Sequence, residues 1–263
     1  EAAKRAINDA GIEPKDIDYI VACTFTPSMD IPNAACSIGH ILGIDNVGGA
    51  ELNTACSGFI DGVIDGYCRV TSGYKTVLVV AVDTLSKRIN FKDSLTAPLF
   101  GDGAGAAVIR AADDAEGGIM GIYTGSNFSI EHISTRYGGV IEMGGGKKVM
   151  RKAVEAMSSA VTGAIVDATR RGYSVNPEEI KYIIPHQANK RIIQLLRKKL
   201  GVSEKVMCDN ISMVGNTSSS TVGIALDRLL RGELNNGTVK RGDNMVLTSV
   251  GGGYTIAGLV MEY

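Results

Sequence analysis

A seven-residue phrase occurs twice in this chain of 263 residues. Pro14-Lys15-Asp16-Ile17-Asp18-Tyr19-Ile20 returns 163 residues later as Pro177-Glu178-Glu179-Ile180-Lys181-Tyr182-Ile183. Each copy follows an Ala-rich helical run and leads into a short apolar strand, Ile20 to Cys23 and then Ile183 to Pro185. Leu42-Gly43-Ile44 is answered by Leu200-Gly201-Val202, with Gly where a helix end wants a left-handed residue. The order of elements repeats as well. A helix from about Ser57 to Ser72 and a strand from Thr76 to Val82 match a helix from about Ser218 to Arg231 and a strand from Met245 to Val250. A period this long does not describe a solenoid. Strands alternating with helices predict an α/β body with largely parallel sheets covered on both faces, and two such halves predict a pseudo-twofold, five-layered α-β-α-β-α arrangement.

The halves are expected at 1–145 and 146–263. Ala111 to Gly118 and the glycine-rich Gly138 to Gly146 read as connections. Gly144-Gly145-Gly146-Lys147-Lys148 has no Ser or Thr after the Lys and no strong strand before it, so it reads as a turn ahead of a helix over Val149–Arg170, not a phosphate loop. The chain opens on Glu1-Ala2-Ala3-Lys4-Arg5-Ala6-Ile7, already helical in character. That start predicts a missing preceding segment, a first half without its N-terminal strand and an unpaired sheet edge.

Charged residues are 21% of the chain and the net charge is -1, so no broad field marks a nucleic-acid or membrane partner. Five cysteines without a C-x-x-C pair argue against a zinc site or a disulfide framework and fit a reducing cytoplasm. No apolar run reaches the roughly 18 residues of a membrane span.

The sharpest chemical feature is Asn53-Thr54-Ala55-Cys56-Ser57-Gly58-Phe59, a Cys where a short apolar strand turns into a long helix. A helix N-terminus favours the thiolate and is expected to lower the Cys56 pKa below about 8.5. Cys23, Cys36, Cys68 and Cys208 read as small core residues. Gly215-Asn216-Thr217-Ser218-Ser219-Ser220 opens the matching helix of the second half, and Asn216 lies 160 residues after Cys56, so the two helix starts should face one another. His186, in Ile184-Pro185-His186-Gln187-Ala188-Asn189, stands where another apolar strand ends, which is where ligands collect in open α/β sheets. His40, in a helix, and His132, in a polar loop, read as structural or solvated. Gly101-Asp102-Gly103-Ala104-Gly105 precedes a strand and not a helix, so it reads as a tight turn near the active site and not a dinucleotide loop.

TACSGF, LFGDGAGA, PHQAN, GNTS and GGGYT, in this order along nearly the whole chain, resemble β-ketoacyl-acyl carrier protein synthase III, a condensing enzyme of the thiolase fold. The resemblance implies an acyltransferase of fatty acid biosynthesis that joins an acyl primer, from acyl-CoA, to malonyl-acyl carrier protein through an acyl-Cys intermediate. Cys56, His186 and Asn216 become the catalytic trio. The Cys56 and Gly252 N–H groups form the oxyanion hole, and both His186 and Asn216 donate to the malonyl thioester oxygen, with no metal and no cofactor. Rival subfamilies fit less well: Gly251-Gly252-Gly253 holds no second Cys, no Glu base is evident near Cys56 or His186, and Asn216 stands where elongating synthases have a second His.

The resemblance also makes the helix carrying Arg191, Lys198 and Lys199 the docking site for acyl carrier protein; the residues alone read as a solvated face. It implies a homodimer in which the strand after Val77 pairs across a twofold. Ile31 matches a primer-pocket position that often holds an aromatic side chain, which predicts room for branched or medium primers. The family's Asp-Arg pair before LFGDGAG reads Asp93-Ser94 here, leaving open whether CoA or a carrier protein delivers the primer. Two other readings remain: a related acyltransferase or specialised starter enzyme, and a non-catalytic carrier-protein-binding module.

Overall fold

The computed structural model describes residues 1–112 and 117–263. The first half runs α1 (Ala2–Asp9), β1 (Tyr19–Cys23), α2 (Ala34–Leu42), β2 (Gly48–Leu52), α3 (Gly58–Thr71), β3 (Thr76–Asp83) and β4 (Gly103–Arg110). Then come β5 (Gly118–Ser126) and a hairpin of β6 (Ile133–Thr135) and β7 (Ile141–Met143). The remainder is α4 (Gly146–Arg170), β8 (Tyr182–Pro185), α5 (Lys190–Leu200), α6 (Ile211–Val214), α7 (Thr221–Leu230), β9 (Asn244–Val250) and β10 (Thr255–Glu262).

Two four-stranded sheets result, ordered β2-β1-β3-β4 and β5-β10-β9-β8. In the first, β1 pairs parallel with β2 and β3 (Tyr19 opposite Gly48 and Val77), and β4 runs antiparallel to β3. In the second, β8 and β9 are parallel and β10 runs antiparallel to β9 and β5.

Strand alternation sorts the core into layers. Ile20, Ala22, Leu78 and Val80 face outward onto α1 and α2, while Val21, Cys23, Val77 and Val79 face inward onto α3 and α7. Met245 and Leu247 of β9 meet the same central helices from the other side, and Val246 faces α4 and α5. The five expected layers are therefore outer helices, sheet, central helices, sheet and outer helices. Gly43 and Gly201 end α2 and α5 at φ +67° and +68°, so both copies of the Leu-Gly phrase cap a helix as expected.

Four points of the sheet order bear on the sequence expectations. The boundary at 145 does not follow the sheets, because β5 lies before it and pairs with β10 of the second sheet. The proposed connection Ala111 to Gly118 falls partly outside the described residues. The strand after Val77 is β3, and β1 and β4 already occupy both its edges, so it has no edge left for another copy. Its burial along nearly its whole length is that of an interior strand. Finally, β5 flanks antiparallel β10 in the second sheet, whereas no described strand takes the equivalent place beyond β4.

Candidate active site

Cys56 sits in a single 3₁₀ turn, Ala55–Ser57, between β2 and α3. The chain reverses so sharply here that Ala55 adopts φ +49°, a conformation costing an L-residue about 1–2 kcal/mol. The second half repeats the device: Ser218 has φ +53° at the start of the turn Ser218–Ser220, just before α7. The two turns are related by 163 residues, the spacing of the Pro14 and Pro177 phrases. Ser219 is thus the counterpart of Cys56, and Asn53 that of Asn216. The backbone register of the two turns is therefore 163 and not the 160 that separates Cys56 from Asn216, because Asn216 precedes its turn whereas Cys56 lies within its own.

The first elbow is braced from the other half. The Ser57 and Thr255 hydroxyls both lie on the Thr54 carbonyl, at 2.8 and 3.1 Å. A Cβ at Gly251 would come within 2.5 Å of that carbonyl, so only glycine lets this loop lie against the nucleophile turn. Neither the Cys56 nor the Gly252 N–H bonds to another described backbone group. Both residues line the cavity, which leaves two donors for an oxyanion.

The Cys56 thiol is not poised as a thiolate. Burial pushes its pKa up to about 11; the Ser218 hydroxyl, 3.5 Å from the sulfur, opposes that shift, and the Asp83 carboxylate adds to it. The regular helix α3 begins only at Gly58, two residues on, so Cys56 lies ahead of its first turn, and the raised pKa departs from the lowered one the sequence predicts.

Asn216 is held by its backbone and its side chain. Its N–H donates to Leu99 O (2.9 Å) and its carbonyl accepts from the Gly101 N–H (3.0 Å), so the glycine-rich turn before β4 clasps it. Its Oδ1 accepts from the Ser218 N–H at 2.9 Å, which leaves Nδ2 as a free donor. His186 follows β8, its N–H donating to Thr248 O at 2.7 Å. Its ring is almost wholly buried, with Nδ1 2.7 Å from Thr221 Oγ1, and burial pushes its pKa down to about 4. At neutral pH the imidazole is uncharged.

Cys56, His186 and Asn216 line one cavity of about 260 Å³, with Leu99, Val149 and Ile192 among its apolar walls. Cys56 also lines a wider cavity of about 710 Å³ with Thr24, Met29 and Leu85. Phe100, Ile133 and Gly252 are shared by both, so the sulfur stands at the junction of a narrow arm and a wide one. Such a site can hold an acyl group in one arm while a chain-borne thioester enters by the other.

Residues 50–127 match the 3-oxoacyl-[acyl-carrier-protein] synthase III model, and residues 171–263 match the model of its C-terminal part. A β-ketoacyl-[acyl-carrier-protein] synthase III of Caldanaerobacter subterraneus is 37% identical, covering all of this chain and 81% of that protein. The chain belongs to the 3-oxoacyl-[acyl-carrier-protein] synthase III family. Its fold is the thiolase fold of that family: the synthase III of Aquifex aeolicus superposes with a TM-score of 0.91 at 33% identity, over 99% of this chain and 82% of the other. The priming β-ketosynthase of the R1128 polyketide pathway superposes at 0.86 and 32% identity, over 99% and 79%.

Within this synthase III chain the remaining predicted positions fall as follows. Ile31 is 86% exposed and does not line the cavity of its own chain, whereas Met29 and Asp30 do. Arg191, Lys198 and Lys199 are exposed on α5, and none forms an ion pair among the described residues; Lys190 and Arg197 pair with Asp209 and Glu204. The helix begins beside the narrow arm, which Asn189 lines. His132 is buried, not solvated, and packs edge-on against Tyr254 with ring centroids 6.0 Å apart.

Sequence reasoning missed the residues that hold the trio. Asp83, buried at the end of β3, accepts from the Phe25 N–H (3.0 Å), the Thr24 and Thr26 hydroxyls (3.1 and 3.0 Å) and the Ser219 N–H (3.1 Å). A charged residue closing an apolar strand was the only signal available. Ser218 and Thr221 carried none beyond the polar run at Thr217–Thr221.

Proposed function

We propose that this chain catalyses a decarboxylating Claisen condensation between an acyl group and malonyl-acyl carrier protein, the reaction that initiates fatty acid synthesis. The observation that carries the reading is the half-buried Cys56 thiol at the junction of two cavities, with an amide donor and a neutral imidazole in one of them. In the first step the Cys56 sulfur bonds to the thioester carbonyl carbon of an acyl-CoA, and the developing oxyanion lies between the Cys56 and Gly252 N–H groups. The carbon–sulfur bond to CoA breaks. In the second step malonyl-acyl carrier protein enters the narrow arm, and Asn216 Nδ2 donates to its thioester oxygen, joined by His186 Nε2 once that nitrogen carries a proton. The carboxylate leaves as carbon dioxide, its bonding electrons forming an enolate. The enolate carbon attacks the acyl-Cys56 carbonyl, and Cys56 departs. These steps require no metal or redox cofactor.

The carrier protein docks on α5 through Arg191, Lys198 and Lys199, exposed and in no ion pair among the described residues, which suits an acidic partner; Arg191 is two residues from Asn189 at the narrow arm. The active form is a homodimer in the cytoplasm; the supporting feature is β2, which has an unpaired outer edge. Ile31 then shapes the primer pocket of the neighbouring copy, in keeping with its exposure. No described helix is long and apolar enough to cross a membrane.

The test is release of carbon dioxide from malonyl-acyl carrier protein in the presence of acetyl-CoA and longer acyl-CoAs. Stoichiometric release with a 3-oxoacyl product supports the condensation. Acyl transfer without release would instead establish the related acyltransferase reading.

A further inference from the structure

The hydroxyl of Thr221 has one proton and two acceptor positions. It lies 3.1 Å from the Ser218 carbonyl, which can only accept, and 2.7 Å from His186 Nδ1, which can donate or accept. If Thr221 gives its proton to Ser218 O and His186 gives an Nδ1 proton to Thr221 Oγ1, both contacts are hydrogen bonds. If Thr221 gives its proton to Nδ1, the hydroxyl contact to Ser218 O is lost, that carbonyl keeps only the Thr221 backbone N–H, and the buried cluster holds one hydrogen bond fewer. Thr221 and Ser218 are 0% and 1% exposed, so no solvent makes up the loss. The ring is uncharged, so only one nitrogen carries a proton.

From this geometry we infer that Thr221 is a positioning residue that holds His186 as its Nδ1–H tautomer, so that Nε2 enters the reaction as a proton acceptor. No described protein group hydrogen-bonds Nε2, and the ring lines the narrow arm together with Cys56 and Asn216. Resting on the condensation reading, this assigns the protons of the cycle. As the Cys56 sulfur bonds to the acyl carbon, its proton passes to His186 Nε2, and the acyl donor leaves as a thiolate. The ring now carries two protons and becomes the second donor to the malonyl thioester oxygen. When the enolate attacks and the Cys56 carbon–sulfur bond breaks, Nε2 returns the proton to the sulfur. Asn216 is a donor throughout, because the Ser218 N–H occupies its Oδ1, whereas His186 donates only in the second half of the cycle. Ser218 touches every part of this arrangement: hydroxyl to Cys56, N–H to Asn216, carbonyl to Thr221.

The chain has three histidines, so nitrogen-15 and carbon-13 signals of the His186 ring can be assigned by replacing His40 and His132. In substrate-free wild-type protein at pH 7 the ring should show a protonated Nδ1 and an unprotonated Nε2. Thr221→Val should shift it toward the Nε2–H form and slow acylation of Cys56 on the order of 10²-fold, the low end for positioned proton transfer. Thr221→Ser should retain both the tautomer and the rate. A wild-type ring protonated at Nε2 overturns the inference whatever the variants do, as does a folded Thr221→Val with an unchanged ring. A ring in the Nδ1–H form in a chain that never acylates Cys56 leaves the tautomer standing and overturns the condensation reading instead.

Discussion

At the scale of single residues, protonation states shape the chemistry more than charge does. Cys56 and His186 are both neutral at pH 7, one raised and the other lowered by burial, so no thiolate–imidazolium pair waits in the resting enzyme. Alkylation of Cys56 by iodoacetamide should therefore rise with pH from 7 to beyond 9 without levelling off. Peptide mapping checks this, in a background lacking the exposed Cys36 and Cys68. A neutral His186 also couples stability to acidity. Its folded pKa lies below the unfolded one, so its contribution is intact above about 6.5 and is lost as pH falls toward 4. Relative to His186→Gln, the wild type should lose on the order of 3 kcal/mol across that window, read from denaturant unfolding at successive pH values. Asn216→Ala should leave acylation of Cys56 intact and slow decarboxylation roughly 10²–10³-fold, measured as the two half-reactions separately. The trio was legible because each member ends an apolar strand or begins a helix. The thiol's protonation state was not, since it depends on how deeply the elbow is buried, and Thr221 was invisible because a hydroxyl's role lies in the direction of its hydrogen bonds.

At the scale of elements, the two elbows determine where the chemistry can occur. Positive φ at Ala55 and Ser218 turns the chain abruptly into each central helix, and Gly251 closes over the first elbow without a side chain. Gly251→Ala would drive a methyl into Thr54 O and Thr255 Oγ1. It should destabilise the fold by about 1–3 kcal/mol and cut acylation at least tenfold, monitored by unfolding and by intact mass. Helices and strands of the repeat are readable to within a few residues: α3, α7, β3 and β9 lie where the hydrophobic runs put them. Their lateral order is not, because which strands neighbour one another is set by long-range pairing and not by each strand's own residues. Only the sheet order shows that β3 is interior and β2 is an edge. The same limit left β5 within the range 1–145, although its partner is the distant β10.

At the scale of the whole molecule, a twofold backbone serves an asymmetric reaction: the first half supplies the nucleophile, and the second supplies both polar side chains that attend it. Cys23 occupies the place of His186 in the first half, and Ser219 that of Cys56 in the second, so one site exists and not two. Arg191→Glu should raise KM for malonyl-acyl carrier protein at least tenfold with little effect on acylation by acyl-CoA, read by steady-state kinetics of each substrate. The central claim is that Cys56 carries the acyl group, and it is tested most directly by mixing the protein with acetyl-CoA and measuring its intact mass, then mapping the adduct. The account predicts one acetyl group per chain, located on Cys56, absent in Cys56→Ala and discharged on adding malonyl-acyl carrier protein. Acetylation elsewhere, or a folded protein that takes up none, would contradict it.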